Sequence, residues 1–194
     1  MRRGPDGLIG SVDGQPVADY LRQLGDQRGG QIRDLWEAGK ITRRQTGYAS
    51  AVVLDLRTGE LFEASNGFRD VVIRQDELHP LLAERLRQVQ SGPGYPAQNV
   101  DGSGDPGVRP HPHPDNPLGH AEVKAVNELL WRRGADVDKS VLRELRVDTV
   151  APFRHGGVRP VPFCANCAML LTDVPSLTGR YTGFPPGDHN FLPE

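Results

Sequence analysis

The residue types able to do chemistry gather at two places in the 194-residue chain, His120-Ala121-Glu122 and Cys164-Ala165-Asn166-Cys167, each at the start of a helical pattern. Two cysteines at i and i+3 share one helical face, and a thiolate pair with one imidazole makes three soft or borderline ligands of the kind zinc takes. Three protein ligands leave one position for water, and zinc lowers the pKa of such a water to about 7. Glu122 lies two residues beyond the histidine in the same first turn, so it can exchange a proton with that water without ligating the metal. The same residues admit two plainer uses. The Cys-x-x-Cys pair also has thioredoxin-like redox spacing, and a fourth ligand from His111, His113, His155 or His189 closes the set into a structural zinc site.

Elements that can position these residues are legible on either side. Tyr48–Leu56 and Leu61–Ser65 flank a glycine-containing turn and predict a β-hairpin. Asp76 is placed to cap a helix running to about Gln90, with Leu78, Leu82, Leu86 and Val89 on one face. Residues 91–118 repeat Gly, Pro and Asp without periodicity and read as a long loop. The clearest helix spans 119–133, carrying Val123, Val126 and Leu130 toward a core and stopping at Gly134. Leu145–Phe153 predicts a strand, the Cys pair opens a third core helix, and Leu177–Phe184 fits a last strand. Residues 1–46 differ in texture, with Gly-Pro and Gly-Gly punctuation around short helical patterns near 17–24 and 32–36, and are expected to be an extension or linker. Residues 47–194 are expected to be the working domain.

Composition narrows the class. Hydrophobic residues make up 37% and charged residues 25%, enough for a buried core, and no run reaches the roughly 20 apolar residues that cross a bilayer. The formal net charge of −2 argues against a basic surface all round. It leaves room for a local basic groove: nearly all the cations are arginines, some in pairs such as Arg43-Arg44 and Arg132-Arg133, and arginine is the better bidentate partner for phosphate. Met1-Arg2-Arg3-Gly4-Pro5 has no apolar signal-peptide core, which makes the cytoplasm the expected location. His79, Trp36 and Trp131 read as packing residues.

His-x-Glu followed by Pro-Cys-x-x-Cys is the signature of zinc nucleobase deaminases. This chain departs in one place, where Phe163 separates Pro162 from Cys164. Gly119-His-Ala-Glu-Val-Lys-Ala-Val-Asn-Glu-Leu-Leu130, with Phe163-Cys-Ala-Asn-Cys-Ala-Met-Leu-Leu171, resembles the YwqJ-like branch of the nucleic acid and nucleotide deaminase superfamily. The resemblance spans about residues 47–184. It implies an α/β fold, a cytidine-deaminase-like three-layer α/β/α sandwich with a central mixed sheet of the C-terminal hairpin type. It also implies a Zn2+ centre held by His120, Cys164 and Cys167, with Glu122 as the catalytic proton shuttle. Asn66, Ala121 and Phe163 are the corresponding candidates for substrate binding.

The implied reaction is hydrolysis at C4 of cytosine, giving uracil and ammonia, in nucleic acid and preferably DNA. Attack at C6 of adenine, or a free nucleoside or nucleotide as substrate, uses the same centre. Members of this branch are thought to be toxin domains of bacterial antagonism systems, which makes an immunity protein a further expected partner. A structural zinc module that binds a partner is the alternative of another class.

Overall fold

The computed structural model describes residues 1–68, 70–91, 95–98, 104–109 and 115–180, with 95–98 and 104–109 described by backbone alone. His111, His113, His189 and the last part of the expected strand, 181–184, lie outside these residues.

The chain is mixed α/β. Three short strands, β1 (Arg2–Arg3), β2 (Ile9–Val12) and β3 (Gln15–Pro16), lead into α1 (Val17–Glu37) and the single turn α2 (Arg43–Thr46). The expected hairpin follows as β4 (Ser50–Asp55) and β5 (Leu61–Ser65). Beyond it come α3 (Pro80–Gln90), the pair β6 (Tyr95–Gln98) and β7 (Gly104–Arg109), α4 (Ala121–Arg133), β8 (Leu145–Ala151), β9 (Arg159–Pro160) and α5 (Ala165–Leu170).

The largest sheet has four strands in the order β5-β4-β8-β9, every neighbour antiparallel. Parallel pairing enters through two isolated bridges, Val147 with Ser176 and Phe163 with Arg180. The strand expected from Leu177 is absent over its described part, where residues 177 and 178 turn between those bridges. β4 is buried along its whole length because both its faces are covered. Ala51 and Val53 join Val147 and the apolar faces of α3, α4 and α5 in one cluster. The alternate residues Val52 and Leu54 join Ile9, Val12, Val17 and Leu21 in another. A strand's period of two thus sorts one run of apolar residues to two helical layers.

The N-terminal segment corrects the expectation of an extension with two short helices. One helix of 21 residues, α1, runs through Gly25, Gly29 and Gly30, and its buried face closes the second cluster over the sheet. Glycine costs about 1 kcal/mol in a helix interior, which is why the sequence suggests a break there. The benefit is close approach: a Cβ on Gly25 would collide with the Asp148 carboxylate, and one on Gly29 would meet Val158 Cγ1 at 2.5 Å.

Two smaller differences concern the loops. α3 is capped by His79, whose Nδ1 accepts from Leu81 N at 3.2 Å, and not by Asp76. His79 is fully buried, as a packing residue should be, with Nε2 3.0 Å from the Gly134 carbonyl oxygen and its ring edge-on to Trp131. Part of the expected 91–118 loop forms the β6–β7 pair. Among the described residues no helix is long and apolar enough to cross a membrane.

α4 is held at both ends. At its C-terminus Arg133 Nη1 lies 3.0 and 2.9 Å from the carboxylate oxygens of the fully buried Asp55, and Arg133 Nη2 lies 2.8 Å from Glu144. At its N-terminus the contacts come from Asn66, at the end of β5.

Candidate metal centre

His120 occupies the residue just before α4 and Cys164 the residue just before α5, with Cys167 in the first turn of α5. The sheet and the cluster beneath it bring these two helix starts together. His120 Nδ1 lies 3.3 Å from the sulfur of Cys167 and 3.3 Å from that of Cys164. All three donor atoms fall within 4.8 Å of one another, with His120 and Cys167 buried and Cys164 partly so. Among the described residues no carboxylate and no second histidine joins this set. His155 is exposed in the loop before β9. The two cysteines form no disulfide with one another.

The donor set fits a tetrahedral ion. With metal–sulfur bonds near 2.3 Å and metal–nitrogen bonds near 2.0 Å, neighbouring donors stand about 3.5 Å apart. The histidine–sulfur separations are close to that before any ion draws them in. Two thiols and one imidazole are a set that zinc prefers over magnesium or calcium.

The electrostatics of the site point the same way. Burial opposes the His120 imidazolium, yet Cys164 and the Glu122 carboxylate beside it overcome this and carry its pKa up to about 9. Burial and the neighbouring Cys164 push the Cys167 thiol well above its ordinary range. Burial likewise raises Glu122, against the attraction of His120. Three acidic groups crowded around one imidazole in a dry site resist ionising together, and a divalent cation at their centre relieves that repulsion.

Glu122 is 5% exposed and sits in the first turn of α4, next to the Cys167 thiol and outside the donor set. A carboxylate at that position can exchange a proton with a group held at the three donors.

No family model, curated protein or solved structure matches the chain. What the site can do therefore rests on its own residues.

The three candidates for substrate contact are placed differently. Asn66 Oδ1 accepts from the backbone N–H of Ala121 at 3.1 Å, so these two candidates meet each other at the mouth of α4. Phe163 is fully buried in the cluster under the sheet, with Arg180 over its ring. It supports the start of α5 from below.

Two residues that the motifs do not single out help build the site. Lys124, one turn into α4, donates to the Asn66 carbonyl oxygen at 2.6 Å. Asn166, between the two cysteines and fully buried, donates from Nδ2 to the Asp115 carbonyl oxygen at 2.8 Å. The Asn166 contact ties the first turn of α5 to the segment that leads into His120. A polar residue inside a Cys-x-x-Cys turn was the available signal for it, since a helix start packed into a core must satisfy any amide it buries.

Proposed function

We propose that this chain is a zinc-dependent hydrolytic deaminase of the cytidine-deaminase-like type, converting cytosine to uracil in nucleic acid, with DNA the favoured polymer. The carrying observation is the convergence of His120, Cys164 and Cys167 within 4.8 Å beside a buried glutamate that is not one of them. Helices on both faces of a sheet in which the hairpin β4–β5 lies beside β8 support the same fold reading.

In this reading His120 Nδ1 and the sulfurs of Cys164 and Cys167 hold the ion. Zinc bound there supplies a Lewis acid that makes water a nucleophile at neutral pH. Glu122 does the proton work. Its carboxylate, whose proton affinity is raised by burial, takes a proton from the attacking water and hands it to the ring nitrogen of the base, then takes the second proton from the hydroxyl of the tetrahedral carbon and gives it to the departing amino group. The bond from the backbone N–H of Ala121 to Asn66 Oδ1 holds the start of α4, which carries His120 and Glu122. Ammonia leaves and uracil remains. A role as the toxin of a bacterial antagonism system, met by an immunity protein, belongs to the same proposal and rests on the motif resemblance alone.

The test is a screen of the zinc-loaded protein and its Glu122→Gln variant against single-stranded DNA, duplex DNA, RNA and free cytidine and adenosine nucleotides, with uracil and hypoxanthine read by mass spectrometry. Conversion in a polymer, reduced about 10²- to 10⁴-fold in a variant that keeps one zinc per chain, is the expected result. Equal activity in both proteins, or none in either, overturns the assignment; in the second case a zinc ion with four protein ligands would mark a structural module.

A further inference from the structure

A cleft of about 440 Å³ is lined by Arg43, Arg44, Gly47, Tyr48, Ala151, Phe153 and Arg154. Its composition is unusual for this molecule. Many of the arginines here are paired to carboxylates, among them Arg22, Arg33, Arg57, Arg85 and Arg133. Arg43, Arg44 and Arg154 are all exposed and make no ion pair with any described carboxylate, and among the described residues no acidic one lines the cleft. Three guanidinium groups held together without a counter-charge repel one another, and an anion between them removes the cost.

The cations are interleaved with rings. Arg43 stacks over Trp36 at 4.4 Å and over Phe153 at 5.4 Å, while Arg154 lies over Tyr48 at 5.4 Å. Tyr48 is 53% exposed, leaving ring surface for another planar group. The frame is firm: Thr42 and Gln45 form a reciprocal cap on α2, which fixes the turn that carries Arg43 and Arg44. Arginines that reach phosphate and a ring that can stack an unpaired base are the elements of a single-strand binding groove.

The cleft is linked to the metal centre through neighbouring residues. Gly47 takes a positive φ of 70°, and a Cβ on it would lie 2.6 Å from the Cβ of Asn66. Asn66 in turn bonds Ala121, the residue after His120. Asn66 thus stands beside both a residue that lines the cleft and the residue after His120.

We infer that this cleft binds a single-stranded nucleic acid, the three arginines holding its phosphates and Tyr48 stacking a base beside the one that enters the metal centre. The second half rests on the deaminase reading; the binding itself does not. A cavity of this volume takes on the order of one to two nucleotides, by comparison with the 300–1,000 Å³ of small-molecule pockets.

The probe is a fluorescein-labelled single-stranded oligodeoxynucleotide of mixed pyrimidines, titrated with the full chain from about 50 to 200 mM salt and followed by anisotropy. Replacing all three arginines (Arg43→Gln, Arg44→Gln, Arg154→Gln) should weaken binding at least about tenfold and flatten the slope of log affinity against log salt by about 2, near 0.7 per lost phosphate contact. Tyr48→Ala should weaken binding about tenfold with the salt slope kept. The replaced side chains are exposed, and circular dichroism of each variant should match the parent.

An unchanged affinity and slope in the triple variant overturns the inference, even if the protein deaminates the oligonucleotide and the deaminase reading stands. Displacement of the probe by polyglutamate as readily as by unlabelled DNA also overturns it and assigns the cleft to an acidic polypeptide. A protein that deaminates nothing but shows the arginine-dependent slope keeps the cleft and removes the deaminase. If both hold, the triple variant should raise KM for the oligonucleotide and leave turnover of free cytidine unchanged.

Discussion

The side-chain oxygen of Asn66 accepts the backbone N–H of Ala121 at 3.1 Å, and the Asn66 carbonyl accepts Lys124 Nζ at 2.6 Å. One residue at the end of β5 thereby fixes the first turn of α4, and with it the direction in which His120 and Glu122 point. His120 makes no side-chain cap of its own, so Asn66 supplies from another strand the acceptor that a capping residue normally supplies locally.

Asn66→Ala should therefore cost about 1 kcal/mol, lowering Tm by roughly 2–4 °C. A melting curve with and without zinc measures this. A variant with unchanged Tm and a raised KM would make Asn66 a substrate contact with no part in holding the helix.

Removal of the metal should be visible in stability. At a free zinc concentration about 1,000 times Kd the ion contributes about 4 kcal/mol, so chelation should lower Tm by roughly 8–16 °C. Cys164→Ser and Cys167→Ser should abolish both the bound zinc and the chelator-induced shift, read by elemental analysis and differential scanning fluorimetry. A shift that persists in both variants would place the ion elsewhere.

The glycines of α1 should separate into two kinds. Gly25→Ala pushes a Cβ into the Asp148 carboxylate and should cost about 1–3 kcal/mol. Gly30 has no atom within 4 Å of its would-be Cβ, so Gly30→Ala should stabilise by about 0.5–1 kcal/mol through helix propensity. Urea denaturation of the two variants measures both signs. Equal effects would mean that α1 does not pack on the sheet through Gly25.

Asp148 should make stability depend on pH. It is fully buried on β8, 2.8 Å from Arg22, and burial outweighs that guanidinium, with Asp26 adding to the rise, so its pKa is pushed up to about 7 from 3.8. The folded state holds the proton more tightly than the unfolded state. The stabilisation is complete below the unfolded value, shrinks as pH climbs and is lost above about 7, with a ceiling of about 4 kcal/mol. Asp148→Asn cannot titrate, so the parent should lose stability relative to this variant between about pH 4 and pH 7, by denaturant titration at each pH. A constant difference across that range would mean that the carboxyl is already ionised when folded.

How much of this was legible depends on distance along the chain. The His-x-Glu and Cys-x-x-Cys spacings place each group on one helical turn, and the helices themselves follow from apolar residues at 3.6-residue intervals, so the donor set, α4 and the β4–β5 hairpin could be read locally. α1 could not, because glycine lowers helix propensity on its own and is repaid only when the sheet approaches closely enough to need it. The same limit hid the capping of α4 by Asn66 and the tie between Asn166 and Asp115.

By itself the sequence determined which side chains are able to hold a metal or move a proton and how they are spaced within a turn, since those are properties of a few neighbouring residues. Only the tertiary structure decided that two helix starts meet at one point, that residues 1–37 cover a face of the sheet, and that Arg43, Arg44 and Arg154 line one cleft. The physical reason is that each of these joins segments distant in sequence, and strand order, together with burial on both faces of β4, brings them together.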